Sequence, residues 1–212
     1  VEQIEQFVVT AEQMRQIEGR VFAAGMPVAA LMEKVAGLIA RRIQALYPFS
    51  ESSNPKSSSA AARSAIQNPK SSSVAARSAI QNPKSPRVGI LVGPGHNGGD
   101  ALVVARELYF RGYEVVIYRP LTKLKELTAN HAQYAESLGI PFFDQIEPLQ
   151  DCDLIIDGLF GFGLERALSD SIAAAINQLN DWSKPVVSID IPSGLHTDTG
   201  EVLGTAVRAT TT

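Results

Sequence analysis

The sequence predicts a doubly wound α/β fold: a Rossmann-like three-layer α/β/α sandwich on a mostly parallel sheet, with two helices ahead of it. Three observations predict it. From residue 88 onward, short apolar runs alternate with helical stripes, the pattern of βαβ units. The first run, Val88-Gly89-Ile90-Leu91-Val92, carries no polar alternation, as expected of a strand buried on both faces. Polar and glycine-rich segments follow the strands, and in an open parallel sheet those strand ends share one ligand-binding edge.

The elements follow in chain order. Thr10-Ala11-Glu12-Gln13 reads as a capping box, with Met14, Ile17 and Val21 as the buried stripe of the first helix. Gly25 ends it, and Pro27 suits the first turn of the next. Leu31, Val35, Leu38, Ile39, Ile43 and Leu46 give that second helix an apolar face. Strands are expected at 88–92, 114–118, 141–143, 153–157 and 185–190. Helices are expected at 100–111, 128–138 and around Ile172, Ala175, Ile176 and Leu179. A last β-branched run begins at Val207 and stops with the chain, which reads as a strand cut off at its start and hence as a fragment of a longer protein.

At 212 residues, one domain is expected over 1–212, large enough to bury a core unaided. It carries a low-complexity insertion at 51–87. There NPKSSSAAARSAIQ (54–67) recurs as NPKSSSVAARSAIQ (68–81), and a third copy breaks off after Ser85. Asn-Pro and Ser interrupt any helix, so the insertion reads as a tolerated surface loop. Six basic residues against one acid make it +5, leaving −8 on the rest of a chain of net charge −3. An acidic body argues against nucleic acid as ligand. No apolar run reaches the 18 residues of a membrane span. The polar start is unlike a signal peptide, and a single cysteine, Cys152, excludes a disulfide framework. The expected compartment is the cytoplasm.

Three polar clusters end predicted strands: Gly93-Pro94-Gly95-His96-Asn97-Gly98-Gly99-Asp100, then Asp157-Gly158-Leu159-Phe160-Gly161-Phe162-Gly163, then Asp190-Ile191-Pro192-Ser193-Gly194. Gly93, Gly95 and Gly98 satisfy a dinucleotide fingerprint. Arg119, however, replaces the usual acid at the end of the second strand. Asp100, expected in the first helical turn, would repel a pyrophosphate there. Asp157 and Asp190 each close an apolar strand, where a carboxylate is costly unless paired, hydrogen-bonded or metal-bound. With Asn97 and Ser193 near these two acids, Asn, Asp and Ser oxygens with backbone carbonyls suit a hard cation, and with so few carboxylates a monovalent one such as potassium. His131 reads as a surface residue, His196 as a residue within reach of the third cluster, and Cys152 as inert.

In this order the three clusters resemble the NAD(P)H-hydrate epimerase family, the YjeF N-terminal domain. Thr10-Ala11-Glu12-Gln13-Met14 and Leu31-Met32-Glu33-Lys34 resemble its N-terminal helices. The resemblance implies a homodimeric isomerase of metabolite repair. Such an enzyme interconverts the R and S forms of NADHX and NADPHX for a fused or separate dehydratase. It implies substrate contacts from His96, Asn97, Gly98, Gly99 and Asp100, from the loop Gly161, Phe162, Gly163, Leu164, Glu165, Arg166 and Ala167, and from Asp190. It also implies a potassium ion on Asn97, Asp157 and Ser193. His96 stands where the family's Asn-Asn-Gly-Gly-Asp has its first Asn; both side chains donate a hydrogen bond.

The hydrate carbon bears a hydroxyl and the ring nitrogen. Losing hydroxide to an iminium and regaining water on the other face would invert it; ring opening is a second route. Asp190 is the expected acid–base group. The competing readings are a non-catalytic nucleotide-binding module and an NADP-dependent oxidoreductase.

Overall fold

The computed structural model describes residues 8–48 and 85–212. Two helices come first, α1 (Ala11–Ala23) and α2 (Val28–Leu46), meeting at a bend of 118°. There follow β1 (Arg87–Val92), α3 (His96–Phe110), β2 (Glu114–Tyr118), α4 (Glu126–Ser137), β3 (Phe142–Phe143), a 3-10 turn (Glu147–Leu149), β4 (Leu154–Gly158), α5 (Asp170–Asp181) and β5 (Val186–Ser188). All strand pairs are parallel, in the order β3-β2-β1-β4-β5. Chain direction across the sheet reverses between β1 and β4, which creates a crevice at their C-terminal ends. By itself, no described helix is long and apolar enough to cross a membrane.

The three layers follow from strand alternation. Val88, Ile90, Val92, Ile117 and Ile156 pack under α2, α3 and α4. Leu91, Val116 and Ile155 face α5 and the 3-10 turn, with Leu149, Ile176 and Leu179. The expected sandwich and the helices on both faces are therefore present.

Several elements differ from expectation. The capping box is present: Gln13 N–H donates to Thr10 Oγ1 at 3.2 Å and Thr10 N–H to Gln13 Oε1 at 2.8 Å. The inward stripe of α1, however, is Ala11, Met14, Glu18 and Phe22; Ile17 and Val21 lie at the surface. In α2 the buried residues are Met32, Ala36, Ala40 and Ile43, while Leu38 and Leu46 are exposed. Small side chains explain the rotation. Two alanines let α2 lie close on α3, where the Met32 thioether fills the space over Gly99, so the bulkier stripe turns elsewhere. An ion pair of Arg106 with Glu33 fastens the two helices.

The third helix starts at His96, so the second half of the glycine octapeptide is helix rather than loop. A β-carbon at Gly98 would lie 2.0 Å from the Gly93 carbonyl, so the turn and the first helical turn pack at a distance only glycine permits. Asp100 consequently lies in the second turn rather than the first. β5 ends at Ser188, and Asp190 follows at φ 68°, a left-handed conformation that Asp tolerates better than most residues. Residue 87 belongs to β1: Arg87 N–H donates to Asp153 Oδ2 at 2.8 Å, and its side chain pairs with Glu114. The rest of the insertion, 51–84, lies outside the described residues. The run after Val207 makes a single parallel bridge, Val187 to Thr211.

Candidate functional site

At the switch between β1 and β4 lies a cavity of about 630 Å³, within the range of small-molecule sites. Its floor is Pro94, Gly95, His96, Asn97 and Asp100 of the first cluster. Phe160, Gly161, Phe162, Gly163 and Leu164 form one wall, with Asp190 behind them. Val28, Leu31, Val35 and Ile39 of α2 form an apolar wall, and Met14, Arg15, Glu18 and Phe22 of α1 close the remaining side. The bulky stripe of α2 thus faces a cavity, with Ile39 also packing on the core.

Asp157 holds the edge together. It is wholly buried and accepts four hydrogen bonds: from Ser193 Oγ (2.6 Å) and Leu159 N–H (3.2 Å) on Oδ1, and from Ser188 Oγ (2.9 Å) and Ser193 N–H (2.9 Å) on Oδ2. Ser193 Oγ in turn accepts from Phe160 N–H at 2.9 Å. The second and third clusters are thereby locked to one strand end. Four donors converging is the pattern of an ionised carboxylate, while burial raises its pKa. On the facing helix, close to Gly161, both polar atoms of the Asn97 side chain are shielded from solvent and have no partner among the described residues. A buried negative charge and an unpaired amide oxygen fit a cation held by Asn97, Asp157 and Ser193. Among the described residues no group of three His, Cys, Asp or Glu side chains is arranged for a metal, so such a cation would rest on neutral oxygens and one carboxylate.

Asp190 Oδ2 accepts from Phe162 N–H at 2.6 Å and packs against Gly161, where an added β-carbon would lie 2.4 Å from it. Burial raises its pKa against that hydrogen bond. Asp100 receives no hydrogen bond among the described residues. Burial first, then the charges of Asp190 and Glu18, push it from 3.8 up to about 7. Burial and Lys125 lower His96. The cavity therefore has an acidic end able to keep a proton at neutral pH. Its basic side chains are Arg15, which pairs with Glu165 at 3.5 Å, and Lys125.

Of the expected contact residues, His96, Asn97, Asp100, Gly161, Phe162, Gly163, Leu164 and Asp190 line the cavity. Gly98 and Gly99 lie buried behind it as packing surfaces. Glu165 is at the rim, while Arg166 and Ala167 are exposed beyond it. Arg119 instead pairs with Glu136 and stacks on Phe142. His196 bonds within its own turn to Thr199 and does not line the cavity. His131 is half-buried rather than on the surface, with its Nε2 unpartnered. Cys152 is buried and pushed up to about 12, hence unreactive. Glu18 and Lys125 were not legible as site residues. The one available signal for Glu18 was its spacing, four residues from both Met14 and Phe22.

The family model described as YjeF-related protein N-terminus matches residues 28–212. The chain belongs to this family. It is 48% identical over 202 residues to the bifunctional NAD(P)H-hydrate repair enzyme Nnr of Thermosynechococcus vestitus, covering 95% of this chain and 34% of that protein. The protein of the same name from Synechocystis is 49% identical, with 95% and 32% covered. The NAD(P)H-hydrate epimerase of Limosilactobacillus reuteri is 42% identical over 126 residues, 58% of this chain and 59% of that one. The chain thus spans about a third of the length of the bifunctional YjeF relatives. The crystal structure of yeast ynu0, YNL200c, superposes with a TM-score of 0.73 at 22% identity, covering 96% of this chain and 78% of the other. That likeness supports the Rossmann-like fold.

Proposed function

We propose that this chain is an NAD(P)H-hydrate epimerase module, interconverting the R and S forms of NADHX and NADPHX. The observation that carries the reading is the cavity's acidic end. Asp190 and Asp100, both with raised pKa, sit at the sheet's switch point, where α/β folds of this kind take nucleotides. Family membership and the names of the relatives support it.

In this reading Asp190 gives its proton to the departing hydroxyl of the hydrate, and the acidic end stabilises the cationic ring that results. The glycine wall, 161–163, lets the substrate approach the backbone. The uncapped first turn of α3 offers free N–H groups to an anionic part of it. Asn97, Asp157 and Ser193 would hold a potassium ion, which supplies counter-charge to the buried Asp157 and fixes both loops. A dehydratase, fused as in the bifunctional relatives or separate, would consume the product. The exposed Ile17, Val21 and Leu38 give α1 and α2 an apolar surface suited to pairing two copies.

The test is conversion of R-NADHX to S-NADHX by purified protein with potassium present. Acceleration over the spontaneous rate is expected, and Asp190→Asn should lower turnover by about 10²–10⁴-fold with melting temperature little changed. A folded protein that binds NADHX without turnover would establish a binding module instead.

A further inference from the structure

We infer that Glu18 is a second acid–base residue of the epimerase, presented to the cavity by α1, a different wall from the glycine loop beside Asp190, and that it acts on the other face of the hydrated ring. The inference rests on the epimerase reading and on its iminium route. Inverting one carbon by exchange of its hydroxyl requires chemistry on both faces. Hydroxide leaves from one side, water adds from the other, and each event moves a proton. Asp190 stands on the glycine-loop side of the cavity. A partner must come from another wall.

Glu18 meets that requirement on geometry. The inward stripe of α1 is Ala11, Met14, Glu18 and Phe22, and Glu18 is its only ionisable member. Glu18 is half-buried, so one side of its carboxylate meets the cavity while water still reaches the other. Among the described residues Glu18 makes no hydrogen bond and no ion pair, whereas Arg15 pairs with Glu12 and Glu165. The helix is held in place at two points besides its packing: Ala11 N–H donates to Asp198 Oδ1 at 2.7 Å, and Arg15 reaches Glu165. Glu165 follows the glycine loop that walls the cavity, so the helix carrying Glu18 is tied to that loop. Glu18 precedes the 28–212 segment matched by the family model. Burial and the charge of Asp190 raise its pKa. The other charged groups around the cavity are Asp100 and His96 on α3, Lys125 ahead of α4, and Arg15 on α1 itself.

The step balances. Protonated Asp190 gives its proton to the leaving hydroxyl, the C–O bond breaks, water departs, and the ring nitrogen's lone pair forms the C=N bond. Water then adds from the Glu18 side, the C=N pair returns to nitrogen, and the Glu18 carboxylate takes the proton released. One proton passes from Asp190 to Glu18 per inversion; the reverse conversion carries it back.

The experiment compares wild type, Glu18→Gln and Glu18→Asp in both directions of NADHX epimerisation from pH 5 to 9, with melting temperature and NADHX affinity on the same preparations. The expected result for Glu18→Gln is a loss of turnover by about 10²–10⁴-fold with affinity and melting temperature near wild type, and a bell-shaped pH profile reduced to a single limb. Partial recovery is expected in Glu18→Asp. Turnover within a few-fold of wild type with the bell intact would overturn the inference. So would a loss explained by weaker binding with the profile unchanged, because that is what a mere wall residue would give. An inactive wild type would instead sink the epimerase reading, and this inference with it.

Discussion

Asp100 should weaken the fold above neutral pH, and replacing it should reveal by how much. Its carboxyl is mostly buried, accepts no hydrogen bond among the described residues, and faces Asp190 and Glu18; its pKa rises from 3.8 to about 7. In the unfolded chain it would titrate near the ordinary value. Below that value both states carry the proton and Asp100 contributes no penalty. Between about 4 and 7 the unfolded chain ionises while the folded one resists, so stability falls as pH rises, and the penalty levels off above about 7. Three units at about 1.4 kcal/mol each set a ceiling near 4 kcal/mol; relaxation and residual hydration bring the expectation to about 2 kcal/mol. Asp100→Asn keeps the shape and removes the charge. It should melt higher than wild type at pH 8 by roughly 4–8 °C for a chain of this size, and the difference should vanish near pH 4. Thermal melts of both proteins across pH 4–8 measure this. Equal melting temperatures at pH 8, or a pH-independent difference, would refute the argument that an unpaired buried charge burdens this site.

Asp157→Asn should destabilise, because either amide orientation points an N–H₂ at a backbone N–H, of Leu159 or of Ser193. One buried donor left unpaired costs about 1–3 kcal/mol, readable as a lower denaturation midpoint, and the benefit of added potassium to the melting temperature should shrink. Gly161→Ala should push Asp190 off the Phe162 N–H, since the new methyl would lie 2.4 Å from its oxygen; misplacing a reacting group by this much costs about 10²-fold in turnover, with stability little changed. Replacing 51–84, the part of the insertion ahead of β1, by a short Gly/Ser linker should shift stability by no more than about 0.5 kcal/mol, as surface changes do; a large drop in the melting temperature would show that the insertion packs on the body.

Sheet and crevice were legible in the sequence because their signals are local. An apolar run such as 88–92 reads as a buried strand whatever its partners, and a polar cluster after each strand reads as an edge. Helix boundaries near glycine were not legible. Propensity treats His96-Asn97-Gly98-Gly99 as loop, whereas the contact of Gly98 with the Gly93 carbonyl makes it the first turn of α3, and that contact belongs to tertiary packing. The same limit hid the role of Asp157. At the sequence level a strand-end carboxylate is equally a loop brace or a cation ligand; the structure supplies four donors, which makes Asp157 a brace between two loops, a role that only tertiary hydrogen bonds reveal.

The N-terminal helices were misread for one physical reason. Periodicity assigns large apolar residues to the core, on the assumption that apolar means packed. In α2 the core contact is made by Met32, Ala36, Ala40 and Ile43, because small residues allow close helix approach, and bulky Val28, Leu31, Val35 and Ile39 face a cavity. In α1 the same rotation brings an acid inward at position 18 and leaves Ile17 and Val21 outside. A stripe that is apolar but only half-buried, interrupted by one carboxylate unpaired among the described residues, suits a ligand-binding wall. In the proposed reading it would keep water from the substrate's ring and present a single charge to it. The inward turn of Glu18 and the outward turn of Ile17 and Val21 therefore have one cause: α1 and α2 pack around a cavity that Asp100 of α3 also lines.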